Sequence, residues 1–399
     1  MIGTATQGDE ISRLRETFPG LKRWTYMDVA ARGLLSSEVR AAIDAHLDQR
    51  MLDGADKAAL FVMIEETRGR FARLINAAPD EIAFTRNVSD GINAFAASIP
   101  WRAGDNVVLC EGLEHPANLY PWYGARERHG IEVSLVAPEA GRVVPERVLE
   151  AIDARTRVVS ASSVSFSPGF ALPVVELGRA CRERGVLFVV DAAQSAGVLH
   201  VDVRAMGADA LAVSTQKGLL GLYGMGFLYV RREVADGLRP VYLSRFAVDQ
   251  GDAHEAAAAG ADYRLMQGAR RFDVGNYNYV GAIAVNRSMA MLQAVGTSAI
   301  EAHVKGLTRR LAWALHHAGL PVFGGAPGED LAHIVPIGRL QGDQHDATED
   351  EEMRDLHGFL VGNRVKLSIR RGLLRLSLHL YNDENDVDRV VELAKRWRR

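Results

Sequence analysis

VVDAAQSAGVLHVDVRAMGADALAVSTQKGLLGLYGMGFLYV, residues 189–230, contains two apolar runs that each lead to a polar residue suited to chemistry. The run Val186 to Val190 is apolar on both alternations, the pattern of a strand buried on both faces of a parallel sheet. Asp191 therefore stands at a strand's carboxyl end. The next strand, Asp209 to Ser214, delivers Lys217 to the same rim. Open α/β sheets bind ligands outside those ends, so an acid and an amine meet at one ligand-binding edge. Only residues 215–225 separate this strand from the apolar run Gly226 to Arg231. That link is too short for a crossover helix, so the two strands are predicted to run antiparallel and the sheet to be mixed.

The same texture extends upstream to Asp80. EIAFT, NVVLCE, IEVSLV, RVVSAS and VLFVVD read as strands, separated by helical patterns from Asp90, after Pro116, at PERVLEAIDA and at PVVELGRACRERG. Such alternation predicts an α/β domain with a mostly parallel sheet. After Gly281 the segments AIAVNRSMAMLQAV and SAIEAHVKGLTRRLAWALHHAG are helical, followed by short strands and a closing helix from Glu384. At 399 residues and 48% hydrophobic content, the chain exceeds the roughly 250–300 residues of a single core. The expected division is a large domain over 20–282 and a smaller C-terminal α+β domain over 283–399, with residues 1–19 packing on the smaller one. Residues 246–269 show little periodicity and read as a long loop or lid, and Gln341 to Glu352 as an acidic, solvated turn region. His254-Glu255 lacks a second histidine at helical spacing, so no zinc site is expected.

A formal net charge of −3, with Lys and Arg dispersed, argues against nucleic acid as partner, and Arg396-Trp-Arg-Arg399 reads as a solvated helix end. No apolar stretch approaches the ~20 residues of a membrane span, and no signal-peptide core is apparent. Cys110 and Cys181, the two cysteines, have no metal-ligand spacing and read as buried thiols of a reducing compartment. A cytoplasmic enzyme is the expectation.

A lysine held against apolar surroundings loses charge readily and forms a Schiff base with aldehydes, while a buried carboxylate requires a cationic partner. Pyridoxal 5'-phosphate supplies both, its aldehyde for Lys217 and its pyridinium nitrogen for Asp191. Taken singly, Asp191 capping a helix and Lys217 in solvent are the simpler readings. Taken together, Thr85-Arg-Asn-Val-Ser-Asp-Gly-Ile-Asn93, Asp191-Ala-Ala-Gln194, Ser214-Thr-Gln-Lys217 and Arg375 in LLRLSLHLYN resemble the class V aminotransferase family of pyridoxal phosphate enzymes. That family also holds cysteine desulfurases, kynureninase and isopenicillin N epimerase, and the resemblance covers nearly the whole chain. It implies the fold type I architecture, a large domain with a mixed, mostly parallel sheet and a smaller α+β domain.

The resemblance also implies a site. Val88, Ser89 and Asp90, between the strand Glu81 to Thr85 and the helix Gly91 to Ser98, match the phosphate-binding turn, with Ser214 and Gln216 as further ligands. A helix start offers unpaired amides and a favourable dipole to an anion, although plain N-capping would also explain Ser89. Gln194 matches a residue that bonds the cofactor's phenolic oxygen. In Glu114-His-Pro-Ala-Asn118, Pro116 stands where His commonly stacks on the pyridine ring, with His115 taking that place if the alignment slips by one. Asn276, in RRFDVGNYNYVG over 270–281, matches a residue that reaches the phosphate of the neighbouring subunit, which implies a homodimer with shared active sites. In the strand Leu373 to Leu380, period-two alternation puts Leu374, Leu376, Leu378 and Leu380 on one face and Arg375, Ser377 and His379 on the other. Arg375 then points away from the leucine core, and the resemblance makes it the guanidinium that holds the substrate carboxylate. Phe166 occupies a position where desulfurases carry Asn. Arg32, in YMDVAARG, lies where the N-terminal loop approaches substrate; an acid-selecting charge and an exposed salt bridge both fit it.

The expected activity is therefore that of a class V aminotransferase-like enzyme on an α-amino acid as small-molecule substrate, with the amine of Lys217 as the base that removes the α-proton. Loss of a β-substituent would instead make it a lyase, and reprotonation on the opposite face an epimerase. Desulfurases of the family carry a cysteine shortly before the substrate arginine, and 340–371 contains none, which ranks that reading lower. No second base for an epimerase stands out. A catalytically silent cofactor-binding sensor is the reading from another class, and the presence of both Lys217 and Arg375 weighs against it.

Overall fold

A computed structural model describes residues 7–249, 251, 262–342 and 345–399. Seven short apolar stretches form the main sheet: β1 (Ile82–Thr85), β2 (Asn106–Cys110), β3 (Glu132–Val136), β4 (Thr156–Ser162), β5 (Leu187–Asp191), β6 (Ala210–Ser214) and β7 (Gly226–Val230). Their order is β1-β7-β6-β5-β4-β2-β3, and β7 alone runs against the other six. The antiparallel pairing of β6 with β7 is what their short link requires, and the sheet is mixed as expected. Both faces are covered: Val189 packs in one apolar cluster with Phe95 and Trp122, while Phe188 and Val190 join the other with Leu177 and Phe227. Burying each such side chain contributes roughly 1.5–3 kcal/mol, and this two-sided burial is why the strands read as unbroken apolar runs.

The longer helices are α1 (Gln7–Glu16), α2 (Ser37–Asp53), α3 (Lys57–Leu74), α4 (Val88–Ser98), α5 (Tyr120–His129), α6 (Val174–Glu183), α7 (Tyr279–Val295), α8 (Thr297–His317), α9 (Glu351–Gly362) and α10 (Glu384–Trp397). α2 and α3 were not expected, because exposed Leu47, Met51, Leu52 and Val62 blur their apolar period. α9 begins within the stretch read as a turn region, capped by Asp350, whose carboxylate accepts from the Met353 amide at 3.2 Å. Of the expected lid, Val248–Asp249 pairs with Arg264–Leu265; residues 250 and 252–261, including His254-Glu255, lie outside the described residues.

A second sheet orders β8 (Ile334–Ile337), β9 (Ser368–Arg370) and β10 (Leu373–Ser377) as β8-β10-β9, all antiparallel. β10 ends earlier than the predicted strand, and both of its faces are buried, Arg375, Ser377 and His379 as fully as the leucines. The chain leaves the sheet because His379 turns to the lysine loop, its Nε2 meeting the Gly218 carbonyl at 2.8 Å. Thr25–Tyr26 pairs in parallel with Val365–Lys366. The loop that follows lies on the main sheet's rim, where the Gly33 amide donates to the Gln216 carbonyl at 2.8 Å. A Cβ at Gly33 would stand 2.5 Å from the Lys217 carbonyl oxygen, so that close approach requires glycine. Arg15 on α1 meets Asp383 at 3.1 Å and Asp386 at 2.9 Å beside α10. Cys110 and Cys181 are buried free thiols. Among the described residues no helix is long and apolar enough to cross a membrane.

Candidate active site

The carboxyl ends of β1, β2, β4, β5 and β6 open on one side, and a cavity of about 190 Å³ lies there. It is lined by Asn87, Val88 and Ser89 after β1, by His115 after β2, by Ser162 and Phe166 at and beyond β4, and by Asp191, Gln194, Ser214, Gln216 and Lys217. Asp191 and Lys217 thus share one chamber without forming an ion pair. Register explains part of this: Asp191 lies opposite Ser162 on one neighbour and Ala212 on the other.

Asp191 is 4% exposed and accepts from the Ala193 amide at 2.8 Å. Burial raises its pKa above the ordinary carboxylate range, opposed by that amide and by the charge of Lys217. Burial lowers the Lys217 amine to about 8, against the pull of Asp191 and with help from Arg375 and Arg370. Beneath them, Glu114 is buried, accepting from the Ser162 amide at 2.9 Å and from Asn118 at 2.8 Å, and burial pushes it up to about 7. Gln194 uses its Nε2 on the Ala30 carbonyl at 3.1 Å and leaves its Oε1 buried without a partner.

Asn87 caps α4, its side-chain oxygen accepting from the Asp90 amide at 2.9 Å. Capping is therefore not the task of Ser89, which sits in the first turn of a helix that starts three residues earlier than predicted. Asp90 does not line the cavity; its carboxylate holds Arg86 at 2.9 Å.

The expectation for Pro116 is corrected. Pro116 is exposed at the first position of a 3-10 turn, and His115, its N-cap, lines the cavity in its place. His115 Nδ1 accepts from the Ala117 amide at 3.1 Å, which leaves the Nε2 proton on the neutral ring, and burial lowers its pKa to about 4. Phe166 borders the cavity with its ring 4.9 Å from that of His115. Arg375 lies behind Phe166, fully buried, donating to the Phe166 carbonyl at 2.8 Å and to Ser368 at 3.2 Å, with its guanidinium 5.5 Å from the Phe166 ring centre. It does not line the cavity itself. Burial, then the charge of Arg370, lowers its pKa to about 9. Asn276 and Arg32 are exposed and do not line the cavity, and Arg32 pairs with no acid among the described residues.

Asn87 and Ser162 were not anticipated. Asn before a helix start is a cap signal, and Ser162 ends a predicted strand, so both carried a readable trace. The donor set fits a flat aromatic aldehyde phosphate: a buried carboxylate without an ion pair, a lysine whose charge is disfavoured by burial, an orphaned amide oxygen and a helix N-terminus. Among the described residues no group of His, Cys, Asp and Glu could hold a metal ion.

Residues 26–390 match the family described as Aminotransferase class-V. A probable cysteine desulfurase of Methanothermobacter thermautotrophicus is 32% identical over 394 residues, covering 95% of this chain and 96% of that protein. The uncharacterized aminotransferase YcbU of Bacillus subtilis is 27% identical, covering 95% of each. Among solved structures, the apo cysteine desulfurase of Thermococcus onnurineus NA1 matches with a TM-score of 0.84 at 25% identity over 99% of both chains. Fold, rim chemistry and sequence converge, and the chain belongs to the class-V aminotransferase family of pyridoxal phosphate enzymes.

Proposed function

We propose that this protein is an aminotransferase acting on an α-amino acid, with Lys217 as the residue that binds the cofactor covalently and then serves as base. The observation that carries the reading is the shared chamber of Lys217 and Asp191 at the mouth of α4. Pyridoxal phosphate, when bound, supplies an electron sink for a bond broken at the substrate's α-carbon. Asp191 would hold the proton of the cofactor's ring nitrogen, and His115, which lines the cavity, would supply the aromatic contact to that ring. Gln194 bonds the phenolic oxygen. The amides of Val88 and Ser89 at the start of α4, with the side chains of Ser89, Ser214 and Gln216, hold the phosphate. Arg375 binds the substrate carboxylate once Phe166 yields access. Near neutrality a lysine with a pKa of about 8 is deprotonated often enough to take the α-proton.

The same proposal includes a cytoplasmic homodimer in which Asn276 serves the partner's site, and the division into domains over 20–282 and 283–399. Exposed Val241, Tyr242, Leu243 and Val274 are the apolar surface such a partner would cover.

A carbon-sulfur lyase is the second reading, favoured by relatives named as cysteine desulfurases. Against a desulfurase that passes sulfur to a thiol, neither cysteine lines the cavity, and burial raises both thiols out of reach of ionisation near neutrality.

Borohydride reduction of the cofactor-loaded protein, followed by peptide mass analysis, is expected to mark Lys217. Lys217→Ala should lose the mark and lower turnover by about 10²–10⁴-fold. A label on another lysine would refute the assignment, and sulfide rather than keto acid as product would select the lyase.

A further inference from the structure

β9 and β10 pair antiparallel with Ser368 opposite Arg375. Residues two apart on a strand share a face, so Arg370 stands on the same side as Ser368 and Arg375. Diagonal neighbours of this kind lie about 7–8 Å apart, within reach of long side chains. Two guanidiniums therefore serve one patch beside Phe166. Arg375 has no acid within ion-pair distance among the described residues, and its Nε is buried without a partner. The Arg370 side chain is 16% exposed, and its Nε is likewise buried and unpartnered. Its acid is Asp346, 70% exposed on a surface loop. His345, next to Asp346, stacks on Phe166 at 5.7 Å and 13°. The loop thus covers Phe166, which borders the cavity, and places a carboxylate on the second guanidinium. Burial first, and then the charge of Arg370, disfavours the charge on Arg375. An α-carboxylate on Arg375 leaves Arg370 with a partner that solvent can take away.

We propose that Arg370 binds a carboxylate on the substrate's side chain, so that the substrate is an acidic amino acid, and that Asp346 occupies this position until the substrate displaces it. The inference rests on the cavity being an amino-acid site, and it is tested separately from that reading.

Holoenzyme titrated with aspartate, glutamate and their amides, followed by visible absorbance, is expected to bind the acids about tenfold or more tightly, the scale of one charge-assisted hydrogen-bond pair. Arg370→Gln should reduce the acid-over-amide ratio about tenfold, and Asp346→Asn, on an exposed loop, should raise it by removing the internal competitor. A readout free of the cofactor is calorimetric titration of the apoprotein with succinate against propionate, where the preference for succinate is lost in Arg370→Gln. An unchanged ratio in Arg370→Gln overturns the proposal, as does an equal weakening of acids and amides, which would place Arg370 on the α-carboxylate. A protein that forms no visible band but still prefers succinate as apoprotein refutes the cofactor reading and supports this one.

Discussion

Glu114 shows how a single side chain sets the site's response to pH. Its pKa rises from 4.5 to about 7 because burial penalises the anion, with Asp191 adding repulsion. A carboxyl raised in this way contributes stability that is fully present below the unfolded value and lost as pH rises through the folded one. The loss, between about pH 4.5 and pH 7, amounts to about 3 kcal/mol. Glu114→Gln removes that dependence, so its thermal midpoint relative to the parent should be higher at pH 8 than at pH 5. Equal differences at the two pH values would show that the carboxyl is not perturbed. Which residues met at the cavity was largely readable: Lys217 and Asp191 follow from where apolar runs stop, and Gln194, Ser214 and Gln216 from the resemblance to the family. Between Pro116 and His115 the sequence left two choices, and the turn held by the Ala117 amide on the His115 ring decides that His115 points inward.

At the scale of elements, the fold is held by close contacts that alternation does not reveal. α6 crosses the loop before β6 so tightly that a Cβ on Gly178 would stand 1.9 Å from the Met206 carbonyl oxygen. Gly178→Ala must move backbone, and a loss of about 1–3 kcal/mol or more is expected in urea unfolding. An unchanged midpoint would rule out that approach. The segment over 270–281 is fixed similarly. Asp273, buried, accepts from the Phe84 amide at 2.9 Å and pairs with buried Arg68 at 2.8 Å. Sequence showed the aromatic anchors of this segment but not the acid that ties it to β1, since Arg68 comes from a helix with no clean period.

For the whole molecule, the exposed Val241, Tyr242, Leu243, Tyr263 and Val274 cluster in sequence around the segment that carries Asn276. Monomeric proteins seldom leave so many large apolar groups exposed together, and a second copy covers them in the proposed dimer. Sedimentation is expected to give twice the 43.6 kDa chain mass. A monomer at micromolar concentration would remove Asn276 from the phosphate site.

Sequence by itself determined the strand-helix alternation, the reversed β7 and the placing of Asp191 and Lys217 on one rim. These depend on side-chain period and link length, which are local. Tertiary structure alone decided that Arg375 and Arg370 share a face behind Phe166, that Asp346 reaches back to one of them, and that the loop at Gly33 closes on the lysine. Each depends on a contact between segments far apart in the chain, where register and burial, rather than any local pattern, choose the partner.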